Sequence, residues 1–484
     1  MTPVYLGIAR ARLGPSAAVV DVDRGAAAAC EENRLTRARQ TPSAGAPELA
    51  TAECLKFLGR QHEDIAASAL VDDGGRIEAH RAHAEYALRA AGGTDAAVLV
   101  ADADVTLWTS GARGVAKVAD WSDRFPIAHA YAKATARLGL AAARDEHLVE
   151  AMARAGHSEA ASMQQRLAAD LRRLIEEARA ATGQPRLCLS GGLFFNTHFT
   201  TAAASAGAFS STYVPPHPGR GGAAVGAALI AADEAGAWAP GSAERVAQAL
   251  KSPYLGPSYP DAEIKQTLEN CKLSFDLLHD ERLFQQVLRA LSRGGLVGWY
   301  HGRLEWGPRA LGHRSVLANP LSPHVLENLN GFLKRRPAYR AYGVSVPLAR
   351  LTEFFESAEP GTSGPAPRRS CSTSTGRATL SSFATCCRRV SRRSACIRSM
   401  RTSRAFCACS PCGVRPRARR CSSTRRSTGS TNRSSARRAT RFGCSTGPGS
   451  TCWQSRTSTY ASRSRARSPS RSAKSNTSAA SAVT

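Results

Sequence analysis

The chain has 484 residues, 43% hydrophobic and 21% charged, with a formal net charge of +27. Residues 360–484 hold 26 Arg and Lys, ten of the fourteen Cys and no Asp or Glu, which leaves +1 of that charge to the first 359 residues. The basic balance is therefore local, and a uniformly basic nucleic-acid-binding protein is excluded; some 355 residues of ordinary composition suffice for one large domain and part of a second.

In chain order, β-type runs are predicted at residues 4–9, 17–22 and 26–30, separated by Gly, Pro and Asp turns. A helix over 49–58, a buried strand over 66–71, an Ala-rich helix over 80–91 and a strand pair over 96–101 and 104–109 follow. Helices over 128–138 and much of 146–182 lead to a strand at 186–190 that runs into Gly191-Gly192. A strand at 211–214 precedes a small-residue helix at 223–235, opened by Gly221-Gly222. Hairpins first and then helices with glycine turns suit an α/β nucleotide-binding domain. Residues 239–260, rich in Pro, Gly and Ser, read as a linker; beyond it come a helix at 281–292, a strand at 295–300 and a loop over 302–320. No internal repeat is visible. The domain plan is thus 1–238, a linker at 239–260, the N-terminal part of a second domain at 261–355, and a tail at 356–484.

The start of the chain lacks a basic stretch followed by a long apolar run, and no window approaches the ~18 apolar residues a membrane helix needs. A soluble, cytoplasmic protein is expected. Cys30, Cys54, Cys188 and Cys271 are far apart and show no metal-ligand spacing, so reduced, mostly buried thiols are expected.

With few large apolar residues and one sign of charge, the tail cannot offset its ordering entropy, and disorder is predicted. It has two readings. One is a basic arm that neutralises nucleic-acid phosphates. The other is a reading-frame shift in a GC-rich gene. With TC-type Ser and CG-type Arg codons, the third base of each codon joined to the next two turns residues 420–435 into Val-Leu-Val-Asn-Thr-Ser-Phe-Asn-Gly-Phe-His-Glu-Pro-Ile-Val. A string with the texture of a strand and a loop favours the second reading.

The densest chemistry lies in Gly302-Arg303-Leu304-Glu305-Trp306-Gly307-Pro308-Arg309-Ala310-Leu311-Gly312-His313-Arg314-Ser315, with Lys334-Arg335-Arg336 and Arg340 downstream. Guanidinium forks in a Gly-studded loop can hold a phosphate or carboxylate; the alternative is a set of surface salt bridges. Trp306 is expected to pack rather than stack on a base, and His217 to be a loop residue.

This loop resembles the signature of the carbamoyltransferases that include antibiotic O-carbamoyltransferases and the nodulation NodU proteins, Gly-Arg-Met-Glu-Phe-Gly-Pro-Arg-Ala-Leu-Gly-Asn-Arg-Ser-Ile-Leu. Lys334-Arg335-Arg336 is similar to a later Lys-Arg-Arg-Glu segment, with Pro337 in place of Glu. Residues 187–196, 219–228 and Glu32-Asn33-Arg34-Leu35-Thr36-Arg37 resemble further family strings, and the re-read codons restore another, Val-Leu-Val-Asn-Thr-Ser-Phe-Asn.

The resemblance implies an α/β architecture of an actin-like N-terminal domain, of the tRNA threonylcarbamoyl transferase kind, joined to a YrdC-like α/β domain, here truncated. It implies ATP and carbamoyl phosphate as co-substrates, a carbamoyl adenylate, and transfer to a hydroxyl or amine of a small secondary-metabolite or sugar acceptor, with neither nucleic acid nor membrane as partner. Anion binding at the reacting centre falls to Arg309, Arg314 and Lys334, with Arg303, Ser315, Arg335 and Arg340 as substrate-binding neighbours. Gly191, Gly192, Asn196, Gly221, Gly222 and Gly226 are implied to cradle the nucleotide, and His80 and His83 to hold a divalent metal such as iron. Three positions depart from the family: Gly14-Pro15 where it has His-Asp, Ala79 where it has the first His of a pair four apart, and Arg220 where it has Asp. A catalytically altered homologue, or an Arg-rich tail that binds nucleic acid, are the competing expectations.

Overall fold

A computed structural model describes residues 3–10, 14–36, 46–71, 78–93, 95–111, 114–142, 144–345 and 377–379. The first runs form β1 (Val4–Ala9), β2 (Ser16–Asp21) and β3 (Ala26–Glu31), joined as two antiparallel pairs. After α1 (Glu32–Thr36) and α2 (Glu48–Leu58), β4 (Ile65–Val71) pairs parallel with β1, for an order β3-β2-β1-β4. Beyond α3 (Ala79–Ala91) the plan repeats. β5 (Ala96–Ala101), β6 (Val105–Gly111) and β7 (Gly114–Asp120) make two more antiparallel pairs. Then α4 (Ile127–Arg137), α5 (Glu146–Ala155) and α6 (Ser158–Thr182) lead to β8 (Arg186–Ser190), parallel to β5. α7 (Thr197–Ser205) and β9 (Ser211–Tyr213) complete an order β7-β6-β5-β8-β9. The unit is duplicated, although its sequence shows no repeat, because the two copies share connectivity and alternation rather than residues.

Alternating side chains fix the layers, since successive residues of a strand face opposite sides. In the first sheet Val4, Leu6, Val19, Ala28 and Cys30 meet α2 on one face. Tyr5, Ala9, Val20, Ala29 and Val71 on the other face meet α8 (Ala223–Glu234). In the second sheet Val98, Val100 and Cys188 meet Ala84, Ala87 and Leu88 of α3, while Leu99, Leu107, Leu187 and Leu189 meet Leu171, Leu174 and Phe199 of α6 and α7. α3 and α8 also pack on each other. The order is helix, sheet, helix pair, sheet, helices.

A helix enclosed by a sheet and another helix has room only for small residues. A Cβ on Gly7 of β1 would stand 1.9 Å from the Ala224 carbonyl oxygen, and one on Gly226 of α8 would stand 1.8 Å from that of Ala82 in α3. Gly226 therefore serves a backbone-to-backbone helix crossing, which accounts for a glycine there without a nucleotide. Cys30, Cys54 and Cys188 are buried and Cys271 is exposed.

Residues 239–260 are not an extended connector. They contain α9 (Ser242–Leu250), whose Val246 and Leu250 join the α8 core together with Leu255. β7 also escaped the sequence reading, because as an edge strand it leaves much of its length in solvent and carries little apolar alternation. The later segment holds α10 (Asp261–Asn270), α11 (Asp280–Ser292), β10 (Leu296–Tyr300) and β11 (Arg314–Ala318), then α12 (Val325–Glu327). β10 and β11 pair antiparallel, so Arg314 and Ser315 stand on a strand and the signature loop is shorter than 302–320. β12 (Gly343–Ser345) pairs with β13 (Arg377–Thr379). The predicted disorder of 356–484 otherwise falls outside the described residues. Among the described residues no helix is long and apolar enough to cross a membrane.

Candidate functional site

The signature loop is rooted in the N-terminal core. Its backbone runs beside residues 253–257, with Trp306 N donating to Pro253 O at 2.7 Å, Leu304 N to Pro257 O at 2.9 Å and Gly256 N to Leu304 O at 3.0 Å. Trp306 is 2% exposed, belongs to the α8 cluster and lies 4.8 Å, ring to ring, from His217. Packing is thus its role, as expected.

His217 lies in a loop, as expected, but it is buried and acts as a hub. Its Nε2 lies 3.1 Å from Glu31 Oε1, and Arg34 Nε donates to Glu31 Oε2 at 3.0 Å while Arg34 Nη2 donates to the Gly307 carbonyl. Burial alone would raise the Glu31 carboxyl, but hydrogen bonds and charge from His217 and Arg34 overcome it and hold the group down at about 2. The end of β3 is thereby tied to the turn at Gly307.

Glu305, which the sequence reading passed over, organises the loop from within. Its Oε1 accepts from Leu311 N and His313 N at 2.8 Å each and from Arg314 N at 2.9 Å. Burial opposes ionisation, yet this ring of backbone N–H groups depresses the carboxyl below its ordinary value. A single acid amid three arginines was the signal available in the sequence. Gly312 N donates to Ser315 Oγ at 2.9 Å, and Tyr254 stacks on His313 with ring centroids 3.6 Å apart.

The basic residues separate into two kinds. Arg303 is consumed by structure: its Nε donates to Gly256 O and its Nη2 to Ala27 O and Leu255 O, and its guanidinium lies 4.0 Å over the Phe57 ring. These bonds leave the fork facing backbone carbonyls, where Arg303 clamps β3 to the loop. Arg309 donates to Phe195 O, while Arg314, Lys334 and Arg335 reach solvent.

Downstream, the buried Asn330 accepts from Arg336 Nε and Tyr342 OH at 2.8 Å each and donates to Ala338 O and Arg340 O. Arg340 is lowered from the ordinary guanidinium range by burial and by the charge of Arg336, with Glu150 of α5 opposing. Two guanidiniums that disfavour each other's charge are a place where an anion is welcome.

The glycine turns are explained largely by packing. Gly191, at φ +103°, donates its N–H to Pro218 O at 2.7 Å, and a Cβ there would stand 2.1 Å from Ala101 O. At Gly221 a Cβ would stand 2.5 Å from His217 Nε2, and at Gly222 2.0 Å from His217 O. Asn196 caps α7 through His198 N and spends its amide on Tyr131 OH and Gln164 Oε1, all at 3.0 Å. Gly192 lies against Asp102, whose Oδ1 would stand 2.9 Å from a Cβ there, at the carboxyl ends of parallel β5 and β8, the position where open α/β sheets bind ligands.

His80 and His83 share α3, with ring centroids 6.4 Å apart. Their Nδ1 atoms lie 2.6 Å from Thr106 Oγ1 and 3.2 Å from Ser190 Oγ. Burial, resisted by Asp102 and reinforced by His80, His217 and Arg220, holds the His83 imidazole down at about 4. Its buried Nε2 has no hydrogen-bond partner, as one ligand of an ion would. The set nevertheless does not fit a metal: among the described residues no three His, Cys, Asp or Glu side chains are placed to hold one, and the nearby Arg220 is cationic.

Two family models match the chain, Carbamoyltransferase N-terminus over residues 158–229 and Carbamoyltransferase C-terminus over residues 288–370. Similar proteins include nodulation protein NolO of Bradyrhizobium diazoefficiens, 32% identical over 197 residues that make up 40% of this chain and 35% of that protein. Nodulation protein U of Azorhizobium caulinodans is 33% identical over 185 residues, 37% of this chain and 29% of that one. The chain thus spans about a third of the length of the curated relatives it matches. Among solved structures, component A of the (R)-2-hydroxyglutaryl-CoA dehydratase of Acidaminococcus fermentans aligns with TM-score 0.34 at 14% identity, covering 48% of this chain and 99% of that one. A ROK family glucokinase of Streptomyces griseus aligns with TM-score 0.31 at 12% identity, covering 47% and 99%. Likeness at that level decides neither fold nor function. The two family models fall in N-then-C order, the second covers the Glu305-centred loop, and relatives near 32% identity agree: these segments are similar to the N- and C-terminal parts of NodU-type carbamoyltransferases.

Proposed function

We propose that this chain carries the framework of an ATP-dependent carbamoyltransferase, in which carbamoyl phosphate and ATP yield a carbamoyl adenylate whose carbamoyl group passes to a hydroxyl or amine of a small sugar or secondary-metabolite acceptor. The observation that carries the reading is the loop around Glu305: a carboxylate that gathers three backbone N–H groups ties the loop that carries Arg309 to the start of β11 at Arg314, with Trp306 as its anchor. Guanidiniums gathered there stabilise charge as it develops on phosphoryl oxygens, so the site acts by electrostatic placement rather than covalent catalysis. Arg336 and Arg340, held by Asn330, add positive charge beside α5, and Lys334 and Arg335 flank them.

The doubled sheets with their central helix pair suit an actin-like domain, and α11 with β10 and β11 supply the opening of a YrdC-like one. In this reading the nucleotide lies at the carboxyl ends of β5 and β8, by Gly191, Gly192 and Asp102. ATP and carbamoyl phosphate are the co-substrates of this reading; a divalent metal is not, because the histidine pair lacks its third ligand.

Calorimetry on the full chain with carbamoyl phosphate tests it. Arg314→Ala is expected to weaken binding about tenfold or more, in line with loss of a charge-assisted bond. Equal affinity in the variant, or no binding by the parent chain with or without ATP, overturns the reading. A second reading, a homologue altered in its chemistry, is favoured by one observation, Arg220 beside His83. It predicts retained binding with no AMP release when ATP, carbamoyl phosphate and acceptor are combined.

A further inference from the structure

The signature loop and the glycine turn after β8 meet around His217. Phe195 closes the turn Gly192–Phe195, and its ring centroid lies 5.5 Å from that of His217, which in turn lies 4.8 Å from that of Trp306. His217 and Trp306 are 4% and 2% exposed, and a Cβ on Gly219 would stand 2.4 Å from the Phe195 ring. Three segments remote in sequence are thus packed as one stack, and side chains at interior density pass a shift from one segment to the next.

A charged side chain crosses the same boundary. Arg309 Nη2 donates to the Phe195 carbonyl at the end of the turn. Hydrogen bonds pin both of its supports. On the loop side, Gly307 O accepts from Arg34 Nη2, and Leu311 N donates to Glu305 Oε1. On the turn side, Gly191 N donates to Pro218 O at 2.7 Å, and Phe194 N and Asn196 N donate to Gly191 O and Leu193 O at 3.1 Å each.

We infer that Arg309 is a positioning residue that couples two ligands: an anion held by the signature loop makes the turn bind nucleotide more tightly, and nucleotide does the same for the anion. The inference rests on the reading proposed above, with carbamoyl phosphate at the loop and ATP at the turn. A guanidinium is planar and rigid, so an anion that orients one edge of the fork also orients its bond to Phe195 O. The turn is then held in place before nucleotide arrives, and the ordering that nucleotide would otherwise impose is already done. Linkage makes the effect reciprocal. Arg314 is the contrast: it is exposed on β11 and, among the described residues, makes no hydrogen bond to the turn, so it adds charge without a link. An ammonium is a point charge without a planar fork, so Arg309→Lys keeps the cation and breaks the link.

Calorimetry on the full chain tests this with carbamoyl phosphate and α,β-methylene-ATP, an analogue that cannot release pyrophosphate. Each ligand is expected to tighten the other by the same factor, about fivefold or more. In Arg309→Lys that factor falls to about one while both ligands still bind; in Arg314→Ala carbamoyl phosphate binds more weakly but the factor is that of the parent chain. Hydrogen exchange is the second readout: carbamoyl phosphate alone should slow the Phe194 and Asn196 amides several-fold in the parent chain and leave them unchanged in Arg309→Lys. Independent binding of the two ligands, or coupling that survives Arg309→Lys, overturns the inference and leaves the proposed reaction standing. Failure of the parent chain to bind either ligand overturns that reaction and the inference with it. Should Arg309→Lys not fold, the parent chain decides alone: Phe194 and Asn196 amides unmoved by saturating carbamoyl phosphate overturn the inference, and slowed ones support it.

Discussion

The two sheets of the N-terminal part are each covered on both faces, one by α2 and α8, the other by α3 and the α6–α7 layer. Among the described residues the β10–β11 sheet packs against α11, and the segment that carries it exposes Phe332 and Leu277. Both regions use the same alternation of apolar residues, so the difference does not lie in local propensity. It lies in the number of partner layers: an amphipathic element specifies that it must be covered, and only the rest of the chain decides whether it is.

The largest way to break the contrast is to pull the later segment off the completed one. Trp306→Ala empties a buried site in the α8 core and is expected to cost about 3–5 kcal/mol in a denaturant titration. A loss below about 1 kcal/mol would mean that the loop is not rooted where it is drawn. Acid attacks the same joint. Glu31 titrates near 2 in the fold against an ordinary 4.5, so its contribution is present above pH 4.5 and drains away as pH falls through 2. At 1.36 kcal/mol per unit the change is on the order of 3 kcal/mol, and Glu31→Gln should flatten that part of the stability–pH curve. An unaltered curve in the variant removes Glu31 as the tie.

Within the covered region, Gly226→Ala forces a methyl against the Ala82 carbonyl and is expected to cost about 1–3 kcal/mol, read as a lowered melting temperature. An unshifted melting point would remove the close crossing. The smallest effect sharpens the contrast from the other side: Phe332→Ser, at 73% exposure, should change the stability of the chain as written by no more than about 0.5 kcal/mol, and a larger loss would show that something already covers it.

The sequence conveyed the first unit well where burial is one-sided or complete. β1, β5 and β8 and the small-residue helix α8 carry their patterns openly. It concealed what depends on partners distant in the chain. Edge strand β7 has no face to signal, and α9 sits in a Pro- and Gly-rich stretch that resembles a connector until Val246 and Leu250 find the α8 core. The duplication is invisible because the two sheets share a path and not a motif.

For the site, the charged loop was legible, but the division of labour within it was not. Arg303 and Arg314 look alike in sequence, and only the carbonyls of Ala27, Leu255 and Gly256 show that the first is committed to structure. Glu31, His217, Glu305 and Asn330 were missed as organisers for the same reason: each acts through backbone or side-chain groups that the chain brings together only on folding.

The crossing of α3 and α8 also limits how the two sheets can move. Where backbones touch at Gly226 and the Ala82 carbonyl there are no long side chains to slip past one another, so translation along the helices meets a hard stop while rotation about the contact does not. A residue as small as glycine thus sets how closely the two helices, and the sheets they back, approach each other.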